Sequence, residues 1–216
     1  MRALARRGYT SATVEYRLTR APRDVFPAAI ADVRCALRAL RRRASDYHAA
    51  PDRVAAMGYS AGGHLASLLG VAPDVSALDG APCDVADDDL RVHAVVSYAG
   101  PQDLRVNGPY TPEQAEIVTN FLGVFPGDAP DIARLASPLA HVGAGDPPFL
   151  MLHGTDDPLV PVDHPRRMAR ALRETGTPAS VLELGAIGHG YVGMLASGDA
   201  TVRCTVDAFL ARWVKA

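Results

Sequence analysis

Five short apolar runs punctuate the chain, at Thr13 to Arg17, Arg53 to Tyr59, Val92 to Tyr98, Phe149 to His153 and Ser180 to Leu184, and each reads as a strand. Between them apolar residues recur at helical spacing. Pro27 to Arg43 begins on a proline, which the first turn of a helix tolerates, and Ala61 to Gly70, His164 to Thr175 and Asp199 to Val214 each follow a strand. Arg2 to Arg7 reads as a short leading helix. Strand and helix in alternation predict an α/β fold with a mainly parallel sheet flanked by helices, because parallel strands need long crossovers and both faces covered.

The rhythm breaks between Gly100 and Pro148, where Pro, Gly and Asp accumulate around one weak helix near Pro112 to Phe121. Lying at the carboxyl end of a strand, this excursion is read either as a cap over a binding crevice or as a plain surface loop. At 216 residues the chain suits one domain, spanning residues 1–216.

Composition adds mainly exclusions. A net charge of -2 with dispersed arginines offers no footprint for nucleic acid. The one dense basic run, Arg41 to Arg43, falls at a helix carboxyl end, where cations oppose the dipole, and is read as a solvated face. Cys35, Cys83 and Cys204 are odd in number and widely spaced, so neither a disulfide framework nor a zinc site is indicated. Asp87-Asp88-Asp89 lacks the spacing of a calcium loop and is read as a solvated acidic loop. No apolar stretch has membrane-span length, and Met1 leads into a basic stretch without a signal-peptide core. The chain as written is therefore expected in the cytoplasm, or secreted should an upstream signal peptide be missing.

Candidate chemistry begins at Gly58-Tyr59-Ser60-Ala61-Gly62-Gly63. GxSxG alone is weak, but here it follows the strand Val54-Ala55-Ala56-Met57 and opens an apolar helix. That is the strand-to-helix turn which exposes a strained serine, with Gly58 and Gly62 as the small flanking residues. A serine hydroxyl needs a base, and the base needs an acid to hold its tautomer. His189, set in Gly188-His189-Gly190 after the last strand, is the natural base. His153-Gly154-Thr155-Asp156-Asp157-Pro158 offers two acids after the preceding strand, and position favours neither. His48, His64, His93, His141, His153 and His164 are read as structural, and Ser97 and Cys35 as core or helix residues.

Taken together these residues resemble the α/β-hydrolase superfamily and, within it, the esterase/lipase group of acetyl-xylan and feruloyl esterase-like enzymes. The likeness runs from Val14-Glu15-Tyr16-Arg17-Leu18 and Phe26-Pro27-Ala28-Ala29, through the Ser60 turn, to Pro147-Pro148-Phe149-Leu150 and His153-Gly154-Thr155-Asp156-Asp157-Pro158-Leu159-Val160-Pro161. The group's acid stands three residues after His-Gly and three before Val-Pro, which assigns the role to Asp157.

The resemblance implies an α/β-hydrolase fold and hydrolysis of a small-molecule carboxylic ester through an acyl-Ser60 intermediate, with no metal or organic cofactor. It also implies an absence. The group carries an upstream His-Gly-Gly loop that forms half of the oxyanion hole, so the chain is expected to be truncated at its amino end. The Ala61 N–H is then the one nameable donor. A strand is expected to be missing between Thr13 to Arg17 and Arg53 to Tyr59. Two alternatives stand beside the esterase: a catalytically silent hydrolase-fold binding module, and an amide hydrolase of formamidase or oligopeptidase type.

Overall fold

The computed structural model describes residues 2–80, 83–85, 89–105, 110–190, 192 and 199–215. Four strands, β1 (Ala55–Tyr59), β2 (Ala94–Tyr98), β3 (Phe149–Gly154) and β4 (Ala179–Leu184), form one sheet in that order with every neighbour parallel. β2 and β3 are buried along their whole length, and their side chains alternate between two cores. Val95, Phe149 and Met151 join one core, whereas Ala94, Val96, Leu150 and Leu152 join the other. The period of two in a pleated strand thus feeds both faces, which is why these runs are continuously apolar.

Helices α2 (Ala28–Arg42), α3 (Ala61–Val71) and α6 (Asp163–Glu174) contribute to the first core, and the short α1 (Arg2–Ala5) and carboxyl-terminal α7 (Ala200–Trp213) to the second. α3 is buried from Gly63 to Val71, so its apolar residues encircle it. The Gly100 to Pro148 excursion holds α4 (Pro112–Leu122) and α5 (Pro130–Leu135). α4 starts on a reciprocal cap: Thr111 Oγ1 accepts from Gln114 N–H at 3.2 Å, and Gln114 Oε1 accepts from Thr111 N–H at 3.0 Å.

Several expectations change. Thr13 to Arg17 forms no strand. Arg17 N–H and its guanidinium bind the Asp32 carboxylate on α2 instead, at 2.8 to 3.1 Å. Among the described residues no strand pairs with the outer edge of β1, and a groove of about 300 Å³, lined by Val14, Tyr16, Leu37 and Leu69, separates that edge from residues 12–16. An extended run without a neighbour at strand spacing has nothing to ladder with, whatever its propensity.

Cys35 and Cys83 are joined in a disulfide across 48 residues of sequence, with their Cα atoms 5.6 Å apart; only Cys204 is free among the described residues. The expectation of no bridge fails because packing of α2, not local spacing, brings the two thiols together. Nor is the Arg41 to Arg43 run a solvated face throughout. The Arg41 side chain is only 6% exposed and is bound to Asp89 Oδ2 at 2.8 Å and to the Arg91 carbonyl, while Arg43 stays exposed beside Asp46. Of the acidic run, Asp87 and Asp88 lie outside the described residues.

The fully buried Arg34 went unnoticed in the sequence. Its guanidinium donates to the Ala72 and Pro73 carbonyls at 2.8 and 3.0 Å, satisfying the end of α3, and to Asp79 at 2.9 Å.

Candidate active site

β1 stops at Tyr59 and α3 starts at Ala61, so one residue makes the turn. That residue, Ser60, has φ 52° and ψ −117°, a conformation costing a non-glycine residue about 1–3 kcal/mol. The turn is held from both sides: Ser60 N–H donates to the Tyr98 carbonyl at 2.8 Å, and the Ser60 carbonyl accepts from His64 N–H at 3.0 Å. Gly58 is required by crowding, since a Cβ there would collide with the Gly62 carbonyl. Gly62, expected to be crowded as well, faces open space. The second tight position is Gly63, where a Cβ would stand 2.8 Å from Ser97 Oγ and 3.1 Å from Gly100 Cα.

The loops after β3 and β4 are zipped together. Thr155 N–H donates to the Leu184 carbonyl at 2.9 Å, Asp156 N–H to the Ile187 carbonyl at 3.1 Å, and Ala186 N–H to Thr155 Oγ1 at 2.9 Å. This fixes Asp157 beside His189. Asp157 Oδ2 lies 2.6 Å from His189 Nδ1, and His189 Nε2 lies 2.8 Å from Ser60 Oγ. Asp156 points elsewhere, exposed and bound to its neighbour Thr155 at 3.0 Å.

The Asp157 side chain is fully buried. Burial alone would raise its pKa, but hydrogen bonds from His153, His189 and the Val160 N–H outweigh it and hold the carboxyl well below the usual carboxylate range. Its Oδ1 accepts from Leu159 and Val160 N–H at 3.0 and 2.9 Å. The arrangement leaves a permanent anion facing one ring nitrogen of a histidine whose other nitrogen faces a hydroxyl. Such a chain can draw a proton from Ser60 and return it elsewhere. Ala61, first residue of α3, carries one of the N–H groups that a helix start leaves without an intrahelical acceptor.

A cavity of about 400 Å³ opens beside Ser60, Ala61 and His189, a volume within the range of small-molecule sites. Among the described residues no group of three His, Cys, Asp or Glu side chains could hold a metal ion, and no helix is long and apolar enough to cross a membrane.

Four contributors escaped the sequence reading. Tyr59 donates its hydroxyl to the His189 carbonyl at 2.9 Å, and burial, then the Asp157 charge, raise its pKa and keep that proton in place. His153 Nε2 donates to the Val160 carbonyl at 2.7 Å and stands 3.4 Å from Asp157 Oδ2. Gln114 Nε2 ties α4 to the acid loop through the Pro158 and Leu159 carbonyls, at 3.1 and 3.2 Å. His164, on the cavity wall, accepts from Gln102 and Asp103 N–H at 3.1 and 3.3 Å. The contacts of Tyr59, Gln114 and His164 leave no local signal, because each joins segments far apart in the chain, whereas His153 reaches Asp157 and Val160 only four and seven residues along.

Residues 1–172 match the family model described as BD-FAE. The chain belongs to that family. It is 32% identical over 214 residues to the Mycobacterium tuberculosis protein named "Probable carboxylic ester hydrolase LipM", covering 98% of this chain and 48% of that protein. It is also 32% identical over 190 residues to Esterase LipQ of the same organism, covering 85% and 43%. The chain thus spans about half the length of the curated relatives it matches. Among solved structures, a truncated carbohydrate esterase from gut microbiota superposes with a TM-score of 0.77 at 26% identity, covering 87% of this chain and 69% of that one. The esterase Est2 of Thermogutta terrifontis, phosphonylated by sarin, superposes with a TM-score of 0.73 at 26% identity, covering 92% and 70%. The fold is that of the α/β-hydrolase esterases.

Proposed function

We propose that this chain carries a carboxylesterase site in which Ser60 is the nucleophile, His189 the base and then the acid, and Asp157 the group that orients His189. The reading rests on the unbroken hydrogen-bond chain from Ser60 Oγ through both nitrogens of His189 to Asp157. The sarin adduct of the related Est2 adds support, since organophosphonates phosphonylate activated serines.

As Ser60 Oγ attacks the ester carbonyl, its proton passes to His189 Nε2, and the imidazolium that forms is stabilised by the ionised Asp157. The developing oxyanion faces the Ala61 N–H. Collapse expels the alcohol, which takes the proton from Nε2, and leaves acyl-Ser60. Water then repeats the sequence and releases the acid.

No His-Gly-Gly stretch occurs within residues 1–216, so Ala61 is the donor on which the reading depends. An ester, with its better leaving group, is favoured over an amide. The test is labelling by a fluorophosphonate probe together with p-nitrophenyl acetate hydrolysis. Stoichiometric labelling that disappears in Ser60→Ala is the expected result. A folded sample that takes up no probe would sink the proposal in favour of a silent module.

The Cys35–Cys83 disulfide favours an oxidising compartment over the cytoplasm, where thiols are kept reduced. Protein alkylated without reductant, straight from its cells, should then carry a single modified cysteine, Cys204; modification of all three would place it in a reducing compartment.

A further inference from the structure

The zip between the loops after β3 and β4 stops at the Ile187 carbonyl, two residues short of the base. The backbone of His189 is held instead from the other side of the site, where its carbonyl accepts from the Tyr59 hydroxyl at 2.9 Å, across 130 residues of sequence. Tyr59 closes β1 and is bonded covalently to Ser60. The base is thus tied to the immediate neighbour of the nucleophile, and any drift of its loop away from Ser60 has to break that bond.

The Tyr59 ring adds a second contact. Its centroid lies 5.4 Å from that of the His189 imidazole, with the planes 38° apart, closer to stacking than to edge-on. A cation within about 6 Å of an aromatic centroid is attracted by the negative face of the ring. His64 and Phe121 stand at the same separation of 5.4 Å but at 89°, edge-on. There the Nε2–H is spent on the Ala136 carbonyl at 2.7 Å, and burial lowers the His64 pKa to about 4, so that imidazole stays neutral. The imidazole that leans toward stacking is the one that must take up a proton in the reaction.

Building on the serine esterase reading, we propose that Tyr59 is a positioning residue for the base, its hydroxyl fixing the His189 backbone against Ser60 and its ring favouring the imidazolium over the neutral imidazole. The imidazolium exists only once Ser60 Oγ has given up its proton, so an attraction confined to that form lowers the barrier without tightening the hold on the ester. Apolar bulk alone would act in the opposite direction, since shielding from water disfavours the charged form. The sign of the effect separates a ring that attracts from one that merely covers.

The other groups bearing on His189 stay constant when Tyr59 alone is replaced. Asp157 Oδ2 faces Nδ1, with His153 3.4 Å from the same oxygen, and Ser60 faces Nε2. Arg17, Asp103, Arg105, Asp163 and Arg167 border the cavity that His189 shares.

The test follows the His189 imidazole by NMR as pH is varied, its resonance being the one absent from His189→Gln. Tyr59→Leu should lower the titration midpoint by about half a pH unit, a hold on the proton two- to fivefold weaker. Tyr59→Phe keeps the ring and should leave the midpoint in place, while Tyr59→Trp, with the stronger ring, should raise it and carries the test should the leucine variant fail to fold. Amide exchange at Gly188 to Gly190 should quicken about two- to tenfold in Tyr59→Phe, which loses the hydroxyl. A midpoint that rises or stays put in Tyr59→Leu, or fails to rise in Tyr59→Trp, overturns the role of the ring; unchanged exchange in Tyr59→Phe overturns the role of the hydroxyl. With p-nitrophenyl acetate, Tyr59→Leu should lower kcat and leave KM alone, and the reverse pattern counts against the proposal. Titration and exchange are read on the resting protein, so failure of the esterase reading shows as absent turnover and probe uptake, and failure of this proposal as an unmoved midpoint.

Discussion

Asp157 divides its two oxygens between two tasks: Oδ2 holds His189 Nδ1 at 2.6 Å, while Oδ1 accepts the Leu159 and Val160 N–H groups. Asp157→Asn keeps the size of the group but presents an amide where the anion stood, selecting the wrong imidazole tautomer. We predict a fall in kcat of about 10³–10⁴ with little change in KM. A loss below tenfold, measured with p-nitrophenyl acetate, would show that Asp157 does not orient the base.

The glycines of the turn are expected to behave oppositely. Gly58→Ala drives a methyl group into the Gly62 carbonyl and should abolish either folding or probe labelling of Ser60. Gly62→Ala points its methyl into open space within α3 and should gain about 0.5–1 kcal/mol from helix propensity, leaving labelling intact. Thermal unfolding and labelling of both variants decide the matter; equal damage would overturn the assignment of the tight position.

Reduction of the Cys35–Cys83 bridge frees a loop of 48 residues in the unfolded chain. We expect a loss of about 2–4 kcal/mol, visible as a lower midpoint in urea with dithiothreitol or in a Cys35→Ala/Cys83→Ala double variant. An unchanged midpoint would mean that the bridge adds nothing to the packing of α2.

Acid should destabilise the fold through two buried histidines. Burial, the largest cause in each case, lowers both His64 and His164 to about 4 from an ordinary 6.5. Between those values the unfolded chain binds protons that the folded chain refuses, so stability is full above pH 6.5 and falls as the pH drops toward 4. Each group contributes a slope of about 1.4 kcal/mol per pH unit. His64→Gln should be less stable at neutral pH, having disturbed the bond to Ala136, yet flatter across this window. Denaturant titrations at several pH values measure both effects, and an undiminished slope would exonerate His64.

Much of the fold could be read in advance where local pattern and tertiary environment agree. β2 and β3 are apolar at every position because both faces are covered, and the turn at Ser60 announces itself by a strand ending where an apolar helix begins. Thr13 to Arg17 shows where this fails. Its β-forming residues state a preference, but a strand exists only beside a partner, and the pattern cannot report that Asp32 captures Arg17. Cys35 and Cys83 illustrate the same limit, being neighbours only once α2 has packed. At the candidate site, the order of Ser60 after β1, Asp157 after β3 and His189 after β4 is legible. The anchors Tyr59, His153 and Gln114 were not, since their hydrogen bonds reach backbone atoms that look alike from every residue. The choice of Asp157 over Asp156 came from family likeness, not from the residues themselves.

Gln114 has a consequence for how such a protein can change. One amide caps α4 through Thr111 and grips the Pro158 and Leu159 carbonyls, so the helix that lines the cavity and the loop that carries Asp157 share a hinge pin. Adaptation to a new substrate by repacking α4 then pulls on the loop, and a gain in fit arrives coupled to a change in rate. Gln114→Leu, which loses both the cap and the grip, should accordingly lower stability and kcat together; a change in stability with kcat untouched would uncouple the helix from the loop. Selection acting on this region would have to accept changes in combination, and a single-step route from one substrate to another would be correspondingly narrow.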